Sequence, residues 1–184
     1  MRYSYRTEQW LTHPAEEIFA FLANPGNLPS LMPAWQDVRI ETTVIVPPPA
    51  PPGRPNPILV TGVGSRLTLS FLPFAHAPVR LHWQAEISEF VWNHHFCDRQ
   101  LRGPFAFWKH CHYVRSAVQD GTDVTLVADD VEYELPGGFA GRLAHGLFPG
   151  KQIERMFAYR QSRLAGLFPT AAGEASQSPP HIHG

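Results

Sequence analysis

The residues of this chain best suited to chemistry are two histidines two positions apart, His110 and His112. Side chains on a strand alternate between its faces, so both imidazoles project to one side. Asp98, in a separate extended stretch, could complete a set of three metal ligands. We nevertheless expect no bound metal, because many proteins carry such a histidine pair without one, and no Cys or Glu of the same inward parity stands beside it.

The polar residues expected on the same inward faces form a larger group, namely Asp98, Gln100, His110, His112 and Asp129. One interpretation is structural, since buried polar groups often only satisfy one another. A second is that the group orients a ligand. A third is acid–base catalysis, in which His110 or His112 pairs with Asp98 or Asp129 as proton carrier. Residue types alone leave these interpretations open.

Two kinds of catalysis have no support. The sequence has no Gly-x-Ser-x-Gly motif, which argues against covalent hydrolysis by a serine nucleophile. It also has no Gly-x-Gly-x-x-Gly and no phosphate-binding loop, so nucleotide chemistry is not indicated. We expect no cofactor.

The elements that must position these residues can be read from the periodicity of apolar side chains. Residues 2–11 read as a strand, and a helix begins near Pro14 and ends at Asn24-Pro25-Gly26, with a short helical turn within 27–32. Alternation then predicts further strands at 38–42, 58–72, 79–91, 94–102, 105–118 and 123–135. Seven of the 19 prolines lie between Pro47 and Pro57 and predict a loop with polyproline character.

The last part of the chain returns to a helical period. Leu143 and Leu147 form a short apolar face, and Pro149-Gly150 predicts a bend or break. A helix to Phe168 should follow, with an apolar stripe that includes Ile153, Phe157 and Leu164. An antiparallel sheet of about six to seven strands with helices on one face is an α+β fold. We expect one domain over 1–168 and a flexible tail over 169–184.

The inward face of the sheet can be assigned by parity. On 105–118, Lys109 and Arg115 require water, so the alternate set that contains Trp108 and the two histidines should face inward. Extended to the other strands and the last helix, this assignment predicts a ligand-binding set of Trp83, Phe96, Asp98, Gln100, Trp108, His110, His112, Asp129, Val131, Tyr133 and Phe157. An apolar pocket with a few polar groups is the usual form of a small-molecule site.

Composition limits the classes of partner. The formal net charge is −1, which disfavours a general binder of nucleic acid or anionic membranes. The chain lacks an apolar run long enough for stable membrane insertion, and residues 1–10 lack the apolar stretch of a signal peptide. Two cysteines are too few for a disulfide framework, so we expect free thiols and a cytoplasmic location.

Several motifs resemble a known superfamily. They are His13-Pro14-Ala15-Glu16-Glu17-Ile18-Phe19-Ala20-Phe21-Leu22, Phe96-x-Asp98-x-Gln100-x-x-Gly103-Pro104-Phe105-x-x-Trp108-x-His110-x-His112, Val131-x-Tyr133-x-x-Pro136-Gly137 and Phe157-x-Tyr159-Arg160. In this order they resemble the START-like helix-grip superfamily (SRPBCC), which includes polyketide cyclase/dehydrase and lipid-transport proteins, and within it a bacterial branch. The resemblance implies a curved sheet that grips the C-terminal helix, with a cavity between them for hydrophobic molecules.

The function that follows is binding or carrying of a hydrophobic small molecule, either a lipid, a polyketide or an aromatic compound. The alternative is a cyclase or dehydratase that uses a His or Asp of the cavity as acid–base, since one fold hosts many functions. A protein-interaction module acting through the Pro47–Pro57 loop is a third and weaker hypothesis. We expect a monomer or homodimer.

Overall fold

The computed structural model describes residues 1–50, 59–119, 121–137 and 149–168. Several sequence predictions fall outside these ranges. They are the greater part of the proline-rich loop, the apolar face of Leu143 and Leu147, the chain before the predicted break at Pro149, and the tail over 169–184.

Seven strands form a single antiparallel sheet in the order β1-β7-β6-β5-β4-β3-β2. Their bounds are β1 Tyr3–Leu11, β2 Arg39–Val44, β3 Arg66–Phe71, β4 Leu81–Val91, β5 His95–Arg102, β6 Phe107–Gln119 and β7 Thr122–Glu134. The strand count and the antiparallel sheet predicted from the sequence are confirmed.

The two α-helices occur where the sequence predicted them, and the 3-10 helix at Ala34–Gln36 was not predicted. Helix α1 spans Ala15–Ala23, directly after Pro14, and two short 3-10 helices follow at Pro25–Leu31 and Ala34–Gln36. The last helix, α2, spans Pro149–Leu167. Pro149 is thus the first residue of α2, a position where its missing N–H costs no hydrogen bond. Neither α1 nor α2 combines the length and apolarity that crossing a membrane requires.

The buried stripe of α2 packs against the face of the sheet that was assigned as inward. Phe157 is fully buried and contacts the Tyr5 ring of β1 at 5.3 Å between centroids. Gln161 of α2 donates hydrogen bonds to the Thr7 hydroxyl and the Glu8 carbonyl of the same strand. These contacts, together with that of Arg160 with Asp129 of β7, place α2 over β1 and β7.

Two apolar clusters make up the core. One joins α1, the end of α2 and the sheet through residues such as Phe19, Phe96 and Leu164. The other contains Trp108 and Phe157. On β6, Trp108 belongs to the second cluster and Val114 to the first, so His110 and His112 lie on the strand between the two clusters.

The two cysteines correct one expectation. The register pairs Cys97 of β5 with Cys111 of β6, and the two residues form a disulfide across these strands. The prediction of two free thiols is therefore wrong. Spacing of 14 residues along the sequence gave no sign of the pairing, because only the strand register brings the two residues face to face.

Candidate functional site

A cavity of about 540 Å3 lies between the sheet, the 3-10 helices and α2. Most of its wall is apolar. Strands β3 and β4 contribute Leu67, Leu69, Trp83 and Ala85, and the 3-10 helices contribute Leu28 and Leu31. From α2 the cavity receives Ile153, Met156 and Phe157.

Among the polar side chains of the cavity wall, Asp98 of β5, His110 and His112 of β6 and Arg160 of α2 form one group. The strand register explains why three of them meet. Asp98 of β5 is the direct partner of His110 of β6, and His112 follows two residues later on the same face. The same register that forms the disulfide on the outer face therefore sets the polar group on the inner face.

Asp129 connects this group from behind. Asp129 lies on β7, where it is the register partner of His112 of β6, and it is almost completely buried. Its Oδ1 lies 3.0 Å from His110 Nε2 and 2.7 Å from His112 Nδ1, within hydrogen-bond distance of both rings. Its Oδ2 lies 3.4 Å from Arg160 Nε. One carboxylate thus holds two imidazoles and a guanidinium in fixed positions.

The residues of this group differ in pKa and therefore in charge at neutral pH. Burial alone would raise the pKa of Asp129, but the Arg160 charge and the hydrogen bonds from the two histidines hold that pKa well below its usual value. Burial lowers the pKa of His112 to about 3, and the nearby His110 and Arg160 act in the same direction. At neutral pH Asp129 is therefore ionised and His112 is neutral.

Asp98 differs from Asp129. Burial raises the pKa of Asp98, although His110 and Arg160 oppose the shift and a hydrogen bond from Trp108 also lowers it. Its side chain keeps 19% of its exposure, against 4% for Asp129. Asp98 is thus the carboxyl group that a molecule in the cavity can reach, and it takes up a proton more readily than Asp129.

Of the eleven residues predicted to bind a ligand, seven line the cavity: Trp83, Phe96, Asp98, Trp108, His110, His112 and Phe157. The cavity wall does not include Asp129, Val131 or Tyr133 of β7, which are buried. Parity placed these three on the correct face, but α2 runs across that part of the sheet and covers it. The alternation of apolar and polar residues along a strand does not predict which strands the last helix covers.

Gln100 is the fourth predicted residue that does not reach the cavity. Its Nε2 donates to the Phe105 carbonyl at 2.7 Å, and its Oε1 accepts from the Phe105 N–H at 3.3 Å. A Cβ at Gly103 would overlap the Gln100 side chain, so glycine is required for this close approach. Gln100 therefore closes the β5–β6 turn, which gives the Gln-x-x-Gly-Pro-Phe segment a structural role.

Arg160 is the site residue whose role the sequence did not identify. Arg160 is buried, with 6% exposure, whereas Arg155 and Arg163 of the same helix are exposed. Its position three residues after Phe157 and four before Leu164 was the available signal, because that spacing lies on the buried stripe. A buried arginine requires an anionic partner, which here is Asp129.

No protein-family model matches the chain, and no curated protein matches it. Solved structures do. Protein CV1439 from Chromobacterium violaceum matches with a TM-score of 0.59 and 15% identity, over 91% of this chain and 99% of that one. The chain has the helix-grip fold. The expectation drawn from the sequence motifs is confirmed at the level of the fold.

Two plant proteins with the helix-grip fold give the same result. Norcoclaurine synthase from Thalictrum flavum, solved with dopamine and hydroxybenzaldehyde, matches with a TM-score of 0.54 and 17% identity, over 90% of this chain and 88% of that one. Ginseng major latex-like protein 151 from Panax ginseng matches with a TM-score of 0.58 and 9% identity, over 91% and 98%. At these identities the likeness concerns the fold and not the chemistry.

Proposed function

We propose that this helix-grip protein binds a hydrophobic small molecule, such as a lipid, a polyketide or an aromatic compound, in the cavity between the sheet and α2. The observation that carries the proposal is the composition of the cavity wall. Its volume of about 540 Å3 suits a small organic molecule, and its wall is mostly apolar, with a compact polar group at Asp98, His110, His112 and Arg160. In this proposal the apolar wall supplies affinity.

The polar group orients the ligand. Asp98, His110 and His112 reach the cavity at one place, so a ligand with a single hydroxyl or carbonyl would be held in one direction. Since Asp129 fixes the two rings from behind, these groups are already arranged before a ligand enters. Preorganisation of this kind lowers the entropy cost of binding.

Mass spectrometry of an organic extract from the purified protein tests the proposal. We expect a lipid, polyketide or aromatic compound in stoichiometric amount. Affinity is then measured by titration of the identified compound into the stripped protein. Ala85→Trp, which fills the cavity from β4, should weaken binding by at least tenfold, equivalent to about 1.4 kcal/mol.

His82→Trp is the matched control, because His82 lies on the same strand and is exposed. It should leave the affinity unchanged. Equal losses in the two variants, or an Ala85→Trp protein that binds as tightly as the parent, would contradict the cavity as the binding site.

A second candidate function is a cyclase or dehydratase acting on an aromatic or polyketide-like substrate. The observation that favours it is Asp98, whose pKa burial raises and which reaches the cavity beside the neutral imidazole of His112. A carboxyl group next to a neutral imidazole can donate or accept a proton in successive steps. The norcoclaurine synthase solved with dopamine and hydroxybenzaldehyde is an example of an enzyme with this fold.

Incubation of the protein with the extracted compound and its aromatic and polyketide-like analogues separates the two functions. Turnover that disappears in His110→Ala, His112→Ala and Asp98→Asn would favour the enzyme. Recovery of every compound unchanged, with affinity reduced in the same variants, would favour the binding protein.

A further inference from the structure

Three potential metal-ligand atoms converge at the wall of the cavity. His110 Nδ1 lies 3.6 Å from Asp98 Oδ2, and His112 Nε2 lies 3.9 Å from the same oxygen. All three donor atoms lie within 4.8 Å of one another. These distances exceed the roughly 3.2 Å limit of a good hydrogen bond. They are close to the separation of about 3.4 Å between neighbouring ligands that surround a tetrahedral Zn2+ at 2.0–2.1 Å.

The contact of each imidazole with Asp129, on the side of the ring away from Asp98, determines which ring nitrogen keeps its lone pair. An ionised carboxylate only accepts hydrogen bonds, so His110 Nε2 and His112 Nδ1 both donate to Asp129. An imidazole in its neutral form has one N–H, so in that form His110 Nδ1 and His112 Nε2 present lone pairs to Asp98. Arg160 Nη2 lies 3.0 Å from His112 Nδ1, but the 2.7 Å contact with Asp129 Oδ1 requires the proton on that nitrogen.

This arrangement is the one that protein metal sites use to orient their histidines. In such sites the ring nitrogen that does not bind the metal donates to a carboxylate, which fixes the tautomer and the direction of the ring. Asp129 serves two rings at once. Asp98 is also oriented, because it accepts a hydrogen bond from the Trp108 side chain.

We propose that Asp98, His110 and His112 bind one divalent first-row transition-metal ion, of the Zn2+ or Fe2+ class, with its remaining coordination positions directed into the cavity. Two imidazoles and one carboxylate are a ligand set typical of these ions. Asp129 and Arg160 balance one another's charge, so the negative charge of Asp98 remains to offset the ion.

The inference reverses the sequence-based expectation of no metal. It does not rest on the proposed binding of an organic ligand, since the ion alone can be measured. What the sequence did not contain is the position of Asp129 behind both rings, which leaves two lone pairs and a carboxyl group facing one point.

The test uses the full-length protein, stripped with a chelator and dialysed. Zn2+ binding is measured by equilibrium dialysis with elemental analysis, and Co2+ serves as a spectroscopic probe because its visible absorption reports nitrogen and oxygen ligation. We expect one ion per chain. Asp98→Asn, which keeps the size of the side chain, should weaken binding by more than about 100-fold, and His110→Ala and His112→Ala should do the same.

Asp129 is tested as a positioning residue. Asp129→Asn should weaken Zn2+ binding by about 10- to 100-fold and should shift the Co2+ spectrum, because the rings lose their orientation while all three ligands remain. A variant with unchanged affinity and spectrum would contradict the role of Asp129.

Two control variants distinguish this site from other histidines. His95 lies near Glu89 and Cys97, but Cys97 is in the disulfide and has no thiolate to offer. His181 and His183 form the other His-x-His sequence of the chain. His95→Ala and the double variant His181→Ala/His183→Ala should both bind Zn2+ as the parent does.

The inference is overturned if the stripped parent binds no Zn2+ or Co2+, or if either control variant abolishes binding. It is also overturned if Asp98→Asn binds as tightly as the parent. Since this variant changes only a partly exposed side chain, it keeps the test decisive even if the histidine variants do not fold, which circular dichroism will establish.

Discussion

The charged side chains on the two faces of the sheet at β5, β6 and β7 differ in their exposure to water. On the inner face, Asp129 and Arg160 are both less than one-tenth exposed and belong to one connected group with the two histidines. On the outer face, Lys109 and Glu89 form a 2.7 Å ion pair, but their side chains keep 36% and 47% of their exposure. Residues that are adjacent on one strand but lie on opposite faces thus have different electrostatic environments.

The difference bears on how the charged groups of each face contribute to stability. Exposed ion pairs contribute little to stability, because water screens them and two long side chains must be ordered. A buried group of this kind is costly to assemble and stabilises the fold only while all its members are present. The proposed binding site requires polar groups held in fixed positions, and the inner face has such a group.

Replacement of Asp129 should have the largest effect on stability. Asp129→Ala leaves Arg160 and two imidazoles buried without their shared acceptor, and we expect the free energy of unfolding to fall by about 3–5 kcal/mol. The adjacent Asp130, on the outer face, supplies the control. Its pair with Arg6 is 3.5 Å long and exposed, so Asp130→Ala should cost less than about 1 kcal/mol. Denaturant unfolding measures both, and similar costs would remove the distinction between the two faces.

Loss of the outer-face disulfide should have the next largest effect. Cys97 and Cys111 are separated by 14 residues, and closing a loop of that length stabilises a protein by about 3 kcal/mol. Cys97→Ala/Cys111→Ala should therefore reduce the free energy of unfolding by about this amount. Reductant should destabilise the parent equally and leave the double variant unchanged. A parent that is insensitive to reductant would contradict the presence of the bond.

The pH dependence of stability should report the titration of His112 on the inner face. His112 has a pKa of about 3 in the folded protein against 6.5 for the free side chain, so below pH 6.5 the unfolded chain binds a proton that the folded protein does not. Stability should fall as the pH decreases from 6.5 towards 3, by up to about 1.4 kcal/mol per pH unit. Denaturant unfolding of the chelator-treated protein between pH 7 and 5 measures this slope.

Two variants assign the pH slope to its group. His112→Gln should abolish the fall in stability towards acid pH and leave the opposite contribution of Asp98. Asp98 acts with the opposite sign, because its raised pKa makes the folded protein the form that binds the proton, and the stability it adds is lost as the pH rises. Asp98→Asn should therefore steepen the fall in stability as the pH decreases. A parent slope that persists in His112→Gln would show that another group titrates.

The sequence predicted the fold more completely than the site, for a physical reason. Alternation and helical periodicity are local, so they identified the strands and the buried stripe that contains Phe157. The contacts of Asp129 and the Cys97–Cys111 bond depend on strand register, and the covering of β7 depends on the path of α2. Register and helix path are set by contacts between residues distant in sequence, which a single sequence does not display.

The smallest expected effect belongs to Lys109, the neighbour of His110 on the other face. Lys109→Ala removes its hydrogen bond to Glu89, which holds the pKa of Glu89 below its usual value, but both side chains are solvated. We expect a loss of less than about 1 kcal/mol in the free energy of unfolding, declining further as salt is raised. A double-mutant cycle with Glu89→Ala, measured at low and high ionic strength, isolates the coupling. A coupling above 2 kcal/mol that salt does not reduce would mean that the outer face is as electrostatically organised as the inner one, and burial would then no longer explain why the polar group at the cavity is special.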